Sequence, residues 1–293
     1  MAETCYRHPD RETGVSCSAC GRPICPECMT STPVGMRCPE CARQRTSVRT
    51  AANLAAGGEP VATYALIALN VIVFLAEILG GGGAASVDGG GNLISDGGLC
   101  GNAIDDGGFC GNEPNTGGEV FRILTGAFLH AGPLHLLLNM FALYVLGTLI
   151  EPMIGTARFV AIYFAALLAG SAGALLATDP NQVTVGASGA IFGLMAAAFV
   201  IARQRGLDQV ASQIGLFVVI NIVFTFSVPG ISIGGHFGGL VGGAIAALLL
   251  EQLAQRVRGR HRIAMEVVAI GVIAFASAAA ALWAAGRASA VIG

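Results

Sequence analysis

From residue 61 onward, apolar tracts of about 20 residues recur, separated by short polar or glycine-rich breaks. A helix of that length crosses ~30 Å of hydrocarbon at about 1.5 Å per residue. We read seven spans: 61–80, 134–150, 159–177, 188–202, 210–228, 236–250 and 263–285. Several are dense in Gly and Ala, which lets helix backbones approach closely in lipid. Residues 1–60 are polar and cysteine-rich rather than basic-then-apolar, so no secretory signal is expected there.

Composition agrees with lipid as the main solvent. Of 293 residues, 54% are hydrophobic and 12% charged, and mean hydropathy is +0.70. A soluble domain carries about 25% charged residues. The net charge of −2 says nothing for nucleic acid, and no nucleic-acid partner is expected. All 16 basic residues are Arg. Arg43, Arg45 and Arg49 precede the first span, Arg158 follows the second, and Arg203 and Arg205 follow the fourth. Arg256, Arg258, Arg260 and Arg262 follow the sixth, while the opposite side has only Arg122 and Arg287. The positive-inside rule then predicts a cytosolic N-terminus and, with seven spans, an external C-terminus. The expected location is a plasma membrane of bacterial type.

Residues 1–41 hold four chelating pairs: Cys5/His8, Cys17/Cys20, Cys25/Cys28 and Cys38/Cys41. Pairs two residues apart can share one tetrahedral ion, and eight ligands suffice for two structural zincs. Disulfides are disfavoured in the cytosol, and so short a segment without a hydrophobic core needs a staple. Spacing leaves sequential and cross-braced pairing both open. The pattern resembles a B-box-type zinc finger, and that resemblance implies Cys5, His8, Cys25 and Cys28 on one ion and Cys17, Cys20, Cys38 and Cys41 on the other. A closed site of this kind is a docking module for a cytosolic protein, not a catalyst. Residues 42–60, with Gly57, Gly58 and Pro60, read as a linker.

Between spans one and two lies a Gly-rich loop with a short repeat, Asp96 to Asn102 and Asp106 to Asn112. Cys100 and Cys110 could pair on the oxidising side, a choice the sequence leaves open. No calcium-site pattern fits, and a flexible solvated loop is expected.

Three histidines, His130, His135 and His236, fall at the outer ends of spans, where ionisable groups are functional candidates. Ser188 to Arg203 and His236 to Glu251 are each fifteen residues apart, and His135 to Glu151 sixteen. Each stretch rises ~22–24 Å, short of the ~30 Å core. If the charges mark the cytosolic boundary, Ser188, His236 and His135 share one plane beneath the outer surface. His135 and Asn139 share a helix face. Gly186 and Gly189 flank Ser188, and Gly189/Gly193 and Gly235/Gly239/Gly243 form small-residue stripes permitting tight contact. A serine beside an imidazole is the minimal activated nucleophile, with His135, Asn139 and the Ser188 amide as oxyanion donors. Singly, Ser188 reads as a helix N-cap, His135 as an interfacial residue and His236 as a loop end.

The segments HAGPLHLLLN, GASGAIFG and GGHFGGLVGG, in this order, resemble a rhomboid-family intramembrane serine protease. The resemblance implies an all-α polytopic membrane protein: a six-helix rhomboid core over 61–254, then a basic loop and seventh helix over 255–293. It makes Ser188 the nucleophile, His236 the base, His135, Asn139 and Ser188 the oxyanion hole, and His130 an organiser of the preceding loop. The family's Trp-Arg is Phe121-Arg122 here, and the aromatic that stacks on the imidazole is Phe192 rather than Tyr. Transmembrane proteins are the implied substrates, cleaved without a catalytic cofactor, and span five is the implied side gate. No carboxylate is placed to orient His236, so it lacks the usual third group. Rival readings are a non-catalytic rhomboid-like protein binding transmembrane clients, a transporter, and a zinc module on a membrane anchor. Glu77 and Glu266, within spans one and seven, have no partner legible in the sequence.

Overall fold

The computed structural model describes all residues except 1, 2, 33, 34, 44–57, 81–91, 106, 112, 258–260 and 293. Arg45, Arg49, Arg258 and Arg260, most of the expected linker, and Asp106 and Asn112 of the loop repeat lie outside the described residues. Contacts divide the chain into two units, Met1–Asn53 and Leu54–Gly293.

The first unit is built from two antiparallel hairpins, β1 (Glu3–Cys5) with β2 (His8–Thr13) and β3 (Thr30–Thr32) with β4 (Gly35–Arg37), followed by α1 (Pro39–Arg43). Its interior consists of Ile24 and six buried cysteines, with Tyr6 and Met29 packed alongside. So small an apolar interior cannot alone offset the chain entropy of ordering the unit.

The second unit is an all-α polytopic membrane fold. Its long helices are α2 (Val61–Leu79), α6 (Pro133–Ile154), α7 (Thr156–Ala177), α8 (Ser188–Gln204), α9 (Asp208–Ser227), α10 (Ile233–Arg256) and α11 (Arg262–Ile292). Among the described residues, six are long and apolar enough to span a membrane; α8, at 17 residues, is the shorter exception. At 1.5 Å per residue it reaches ~25 Å, but it is buried along most of its length, so protein rather than lipid surrounds it. Phe159, Tyr163, Leu143, Leu194, Met195 and Leu250 fill the centre, while Leu137, Phe141, Ile220, Val272 and Phe275 face outward. Exposed apolar side chains on that scale require a lipid surround.

One end of the bundle gathers its charges. Arg205 donates to Glu251 at 3.0 and 2.8 Å and to the Met153 carbonyl at 3.1 Å. That joins the ends of α6, α8 and α10, so all three run in the same direction. Glu266, without a partner in the sequence reading, pairs with Arg158 at 2.5 Å and Arg262 at 3.1 Å. Glu77 accepts the His130 amide at 3.1 Å.

The loop between α2 and α6 departs from expectation. Instead of a flexible solvated connection, residues 92–129 hold α3 (Asn92–Gly97), α4 (Gly101–Ile104), the β5–β6 hairpin (Gly108–Cys110 with Glu113–Asn115) and α5 (Arg122–Thr125). Three ties explain the order. Cys100 and Cys110 form a disulfide. Buried Arg122 binds Glu119 at 2.5 Å and the Ser95 and Gly98 carbonyls at 2.6 and 3.0 Å. Leu99 exchanges backbone bonds with Thr184 at 2.9 and 2.8 Å, pinning the loop to the strand-like approach to Ser188.

Candidate active site

Ser188 is the first residue of α8, and Ala187 is the N-cap, without a side-chain cap bond. The Ser188 hydroxyl does not cap its helix. It meets His236 Nε2 at 2.8 Å. His236 lies in the first turn of α10, one turn after the Ser232 cap, and is buried. Phe192, one turn along α8, stacks on the imidazole with centroids 3.9 Å apart and planes 19° from parallel.

Such proximity needs α8 and α10 in backbone contact. A Cβ on Gly239 would overlap the Gly189 carbonyl, and one on Gly243 the Gly193 carbonyl. A Cβ on Gly189 would sit 3.2 Å from the Gly235 carbonyl. The stripes of small residues are the contact surface.

Against Gly186, two residues before the serine, α6 supplies polar groups. His135 Nδ1 accepts the Ala131 amide at 3.3 Å, which leaves the ring proton on Nε2. Asn139 is buried, and its Nδ2 has no partner among the described residues. Gly186 has φ +122°, and a Cβ there would lie 2.8 Å from His135 Nε2 and 3.6 Å from Asn139 Nδ2. Only glycine fits that backbone and that gap. Ser188, at the first helical position, has an amide N–H without an intrahelical acceptor. His135 Nε2 and Asn139 Nδ2 therefore both face Gly186, two residues before the serine.

His130 and Arg122 stand behind this layer. His130 is buried, packs edge-on against His135 at 5.2 Å, and is tied to Glu77 and to the Phe128 carbonyl at 3.3 Å. Arg122 touches none of the reacting groups; it organises the loop.

One member was missed. Buried Thr225, in the last turn of α9, has its Oγ1 2.7 Å from His236 Nδ1. The third position that the sequence left empty, for want of a carboxylate, is filled by a hydroxyl. A threonine ending an apolar helix most often bonds only its own i−4 carbonyl, so nothing in the sequence marked it.

In the first unit, Cys5, His8, Cys25 and Cys28 form one cluster and Cys17, Cys20, Cys38 and Cys41 another, each with ligand atoms within 4.8 Å of one another. His8 Nδ1 points at Cys25 and Cys28 Sγ at 3.4 and 3.5 Å. The Cys38 amide donates to Cys17 Sγ at 3.3 Å and pulls that thiol down to about 6. Cys41, hydrogen-bonded to the neighbouring Cys38 sulfur, is pushed up to about 12. Thiolates this close repel unless a cation lies between them. Soft sulfur donors in fours fit a tetrahedral divalent metal.

Comparison with known proteins agrees with the membrane unit. Residues 117–253 match the Rhomboid domain. Rhomboid protease GluP of Bacillus subtilis (strain 168) is 35% identical over 212 residues, covering 71% of this chain and 38% of that protein. YdcA of the same organism, whose name carries the words rhomboid protease, is 32% identical over 142 residues, 47% of this chain and 71% of its own length. Rhomboid-like protease 1 of Toxoplasma gondii is 34% identical over 142 residues, 46% of this chain and 48% of its own. The chain thus spans less than half of two of these three relatives. With the likeness to YdcA covering most of that protein, the chain belongs to the rhomboid family.

Proposed function

We propose that this chain is an intramembrane serine endopeptidase that cleaves transmembrane segments through a Ser188–His236 dyad. The observation that carries the reading is the 2.8 Å contact between Ser188 Oγ and His236 Nε2. Ser188 lies seventeen residues along α8 from Arg205, so the dyad sits ~25 Å above the charged end, within the ~30 Å hydrocarbon depth.

A substrate helix hides its carbonyls in i to i+4 bonds and must unwind locally before attack. Ser188 Oγ then bonds the carbonyl carbon while its proton passes to His236 Nε2. The carbonyl oxygen becomes an oxyanion held by the Ser188 amide, His135 Nε2–H and Asn139 Nδ2. Collapse breaks the C–N bond, His236 returns its proton to the leaving amine, and an acyl ester remains. Water, deprotonated by His236, hydrolyses that ester and restores the hydroxyl. Phe192 holds the imidazole plane throughout; His130, Gly186, Gly189 and Arg122 shape the surroundings. No step requires a metal.

The Cys100–Cys110 disulfide lies in the loop on the Ser188 side, which supports an oxidising, external location for that end. Arg158, Arg203, Arg205, Arg256 and Arg262 cluster toward the other, which supports a cytosolic one. The two Cys/His clusters would hold structural zinc in a B-box-like docking module over 1–41, joined by the 42–60 segment to the protease core over 61–254 and the seventh helix over 255–293.

The test is covalent labelling with a fluorophosphonate. Wild type should label, and Ser188→Ala and His236→Ala should not. Equal labelling of wild type and Ser188→Ala would overturn the reading.

A further inference from the structure

We infer that Thr225 is a positioning residue that fixes the His236 imidazole in the tautomer Ser188 requires; the inference rests on the dyad reading above. Three polar contacts form a line: Ser188 Oγ to His236 Nε2 at 2.8 Å, His236 Nδ1 to Thr225 Oγ1 at 2.7 Å, and Thr225 Oγ1 to the Asn221 carbonyl at 2.8 Å. The Asn221 carbonyl can only accept. If the threonine hydroxyl donates to it, Thr225 Oγ1 is left to accept, and His236 Nδ1 must carry the ring proton. Nε2 then presents its lone pair to the serine hydroxyl. Every proton in the line has an acceptor.

The opposite direction fails by one. With the proton on Nε2, the imidazole donates to Ser188 Oγ and Thr225 donates to Nδ1. Among the described residues, no second acceptor is then within hydrogen-bond reach of the Ser188 hydroxyl proton. The first direction satisfies every donor in the line from protein groups alone, whereas the second leaves the part-buried Ser188 hydroxyl to water.

The consequence is chemical. A neutral imidazole with a bare Nε2 can take the serine proton; one protonated there cannot. Once the proton arrives, Thr225 Oγ1 goes on accepting from Nδ1 and stabilises the cation with a dipole in place of a carboxylate. Thr225 belongs to α9, whereas the dyad belongs to α8 and α10, so correct orientation of the base depends on α9 being docked against α10.

The test uses full-length protein in detergent with 15N-labelled histidine, the His236 signals being assigned by their loss in His236→Ala. At a pH where the ring is neutral, wild type should show a protonated Nδ1 and a bare Nε2. Thr225→Val, which keeps the shape and removes the hydroxyl, should shift the ring toward the other tautomer. It should lower kcat on a transmembrane peptide about 10- to 100-fold, with KM unchanged, and slow fluorophosphonate labelling alike. Thr225→Ser should restore both. Protonated Nε2 in wild type, or a Thr225→Val protein with wild-type tautomer and kcat, overturns the inference. If Thr225→Val does not fold, the wild-type shifts and the Thr225→Ser rates decide. A wild type inert to fluorophosphonate defeats the protease reading instead, since nitrogen shifts report the tautomer without turnover.

Discussion

The buried Glu151 carboxylate closes the start of another helix: it accepts the Thr63 amide at 2.8 Å and the Thr63 hydroxyl at 2.7 Å. It also takes the Ala62 amide at 3.0 Å and the Thr156 hydroxyl at 2.8 Å. An acid at the end of α6 thus serves as the N-terminal cap of α2, where orphan amides and the helix dipole favour negative charge. Removing it would strand four donors at once. Glu151→Ala should lower stability by about 2–4 kcal/mol, read as the unfolding midpoint in detergent, and Glu151→Gln by less because one acceptor oxygen survives. Equal midpoints for wild type and Glu151→Ala would show that these bonds carry little.

Asn139 Nδ2 is buried without a partner among the described residues, an arrangement that costs stability unless a ligand completes it. If that donor receives the oxyanion, its value appears only in the transition state. Asn139→Ala should therefore lower kcat about 100- to 1,000-fold with little change in KM. The folded protein should be as stable as wild type or slightly more so. A rise in KM at unchanged kcat would instead assign Asn139 to substrate binding.

How much of this was readable beforehand depended on whether the signal lay in one segment or between two. Apolar runs announce helices because each must match the bilayer by itself, and the seven tracts became seven helices. Ser188, His135 and His236 stood out because polar groups in such runs are costly. Thr225 did not: its hydroxyl can satisfy itself on the Asn221 carbonyl, so its presence in a lipid helix needs no explanation. Glu266 and Arg158 lie 108 residues apart, and only the packing of α11 on α7 makes them partners. The loop differs from its expectation for a related reason. Glycine and asparagine content suggests mobility, while the ties that order it join residues remote in sequence: Arg122 to Ser95 and Gly98 across the loop, and Leu99 to Thr184 beyond it.

The approach of α8 and α10 tolerates no side chain at Gly243, where an added methyl would run into the Gly193 carbonyl. Backbone cannot yield as a flexible side chain can, so the helices must part. Gly243→Ala should cost about 1–3 kcal/mol and, by moving His236 away from Ser188, reduce labelling by fluorophosphonate. Gly271, with open space where its Cβ would be, is the control: Gly271→Ala should label like wild type. Full labelling of Gly243→Ala would mean that the dyad is set by the helix tops alone.

The two Cys/His sets interleave along the chain, with Cys17 and Cys20 lying between the first site's Cys5/His8 and Cys25/Cys28. Metal analysis of intact protein should approach two zinc ions per chain. Cys25→Ser replaces a soft thiolate by a poor ligand and should leave one. The hairpins β1–β2 and β3–β4 have little apolar interior of their own, so each ion's binding energy is folding energy for the unit. Protease digestion of residues 1–41 should then accelerate in Cys25→Ser and more so with a chelator, while the membrane helices stay intact. Absence of zinc from wild type, or digestion indifferent to chelation, would reject the metal assignment.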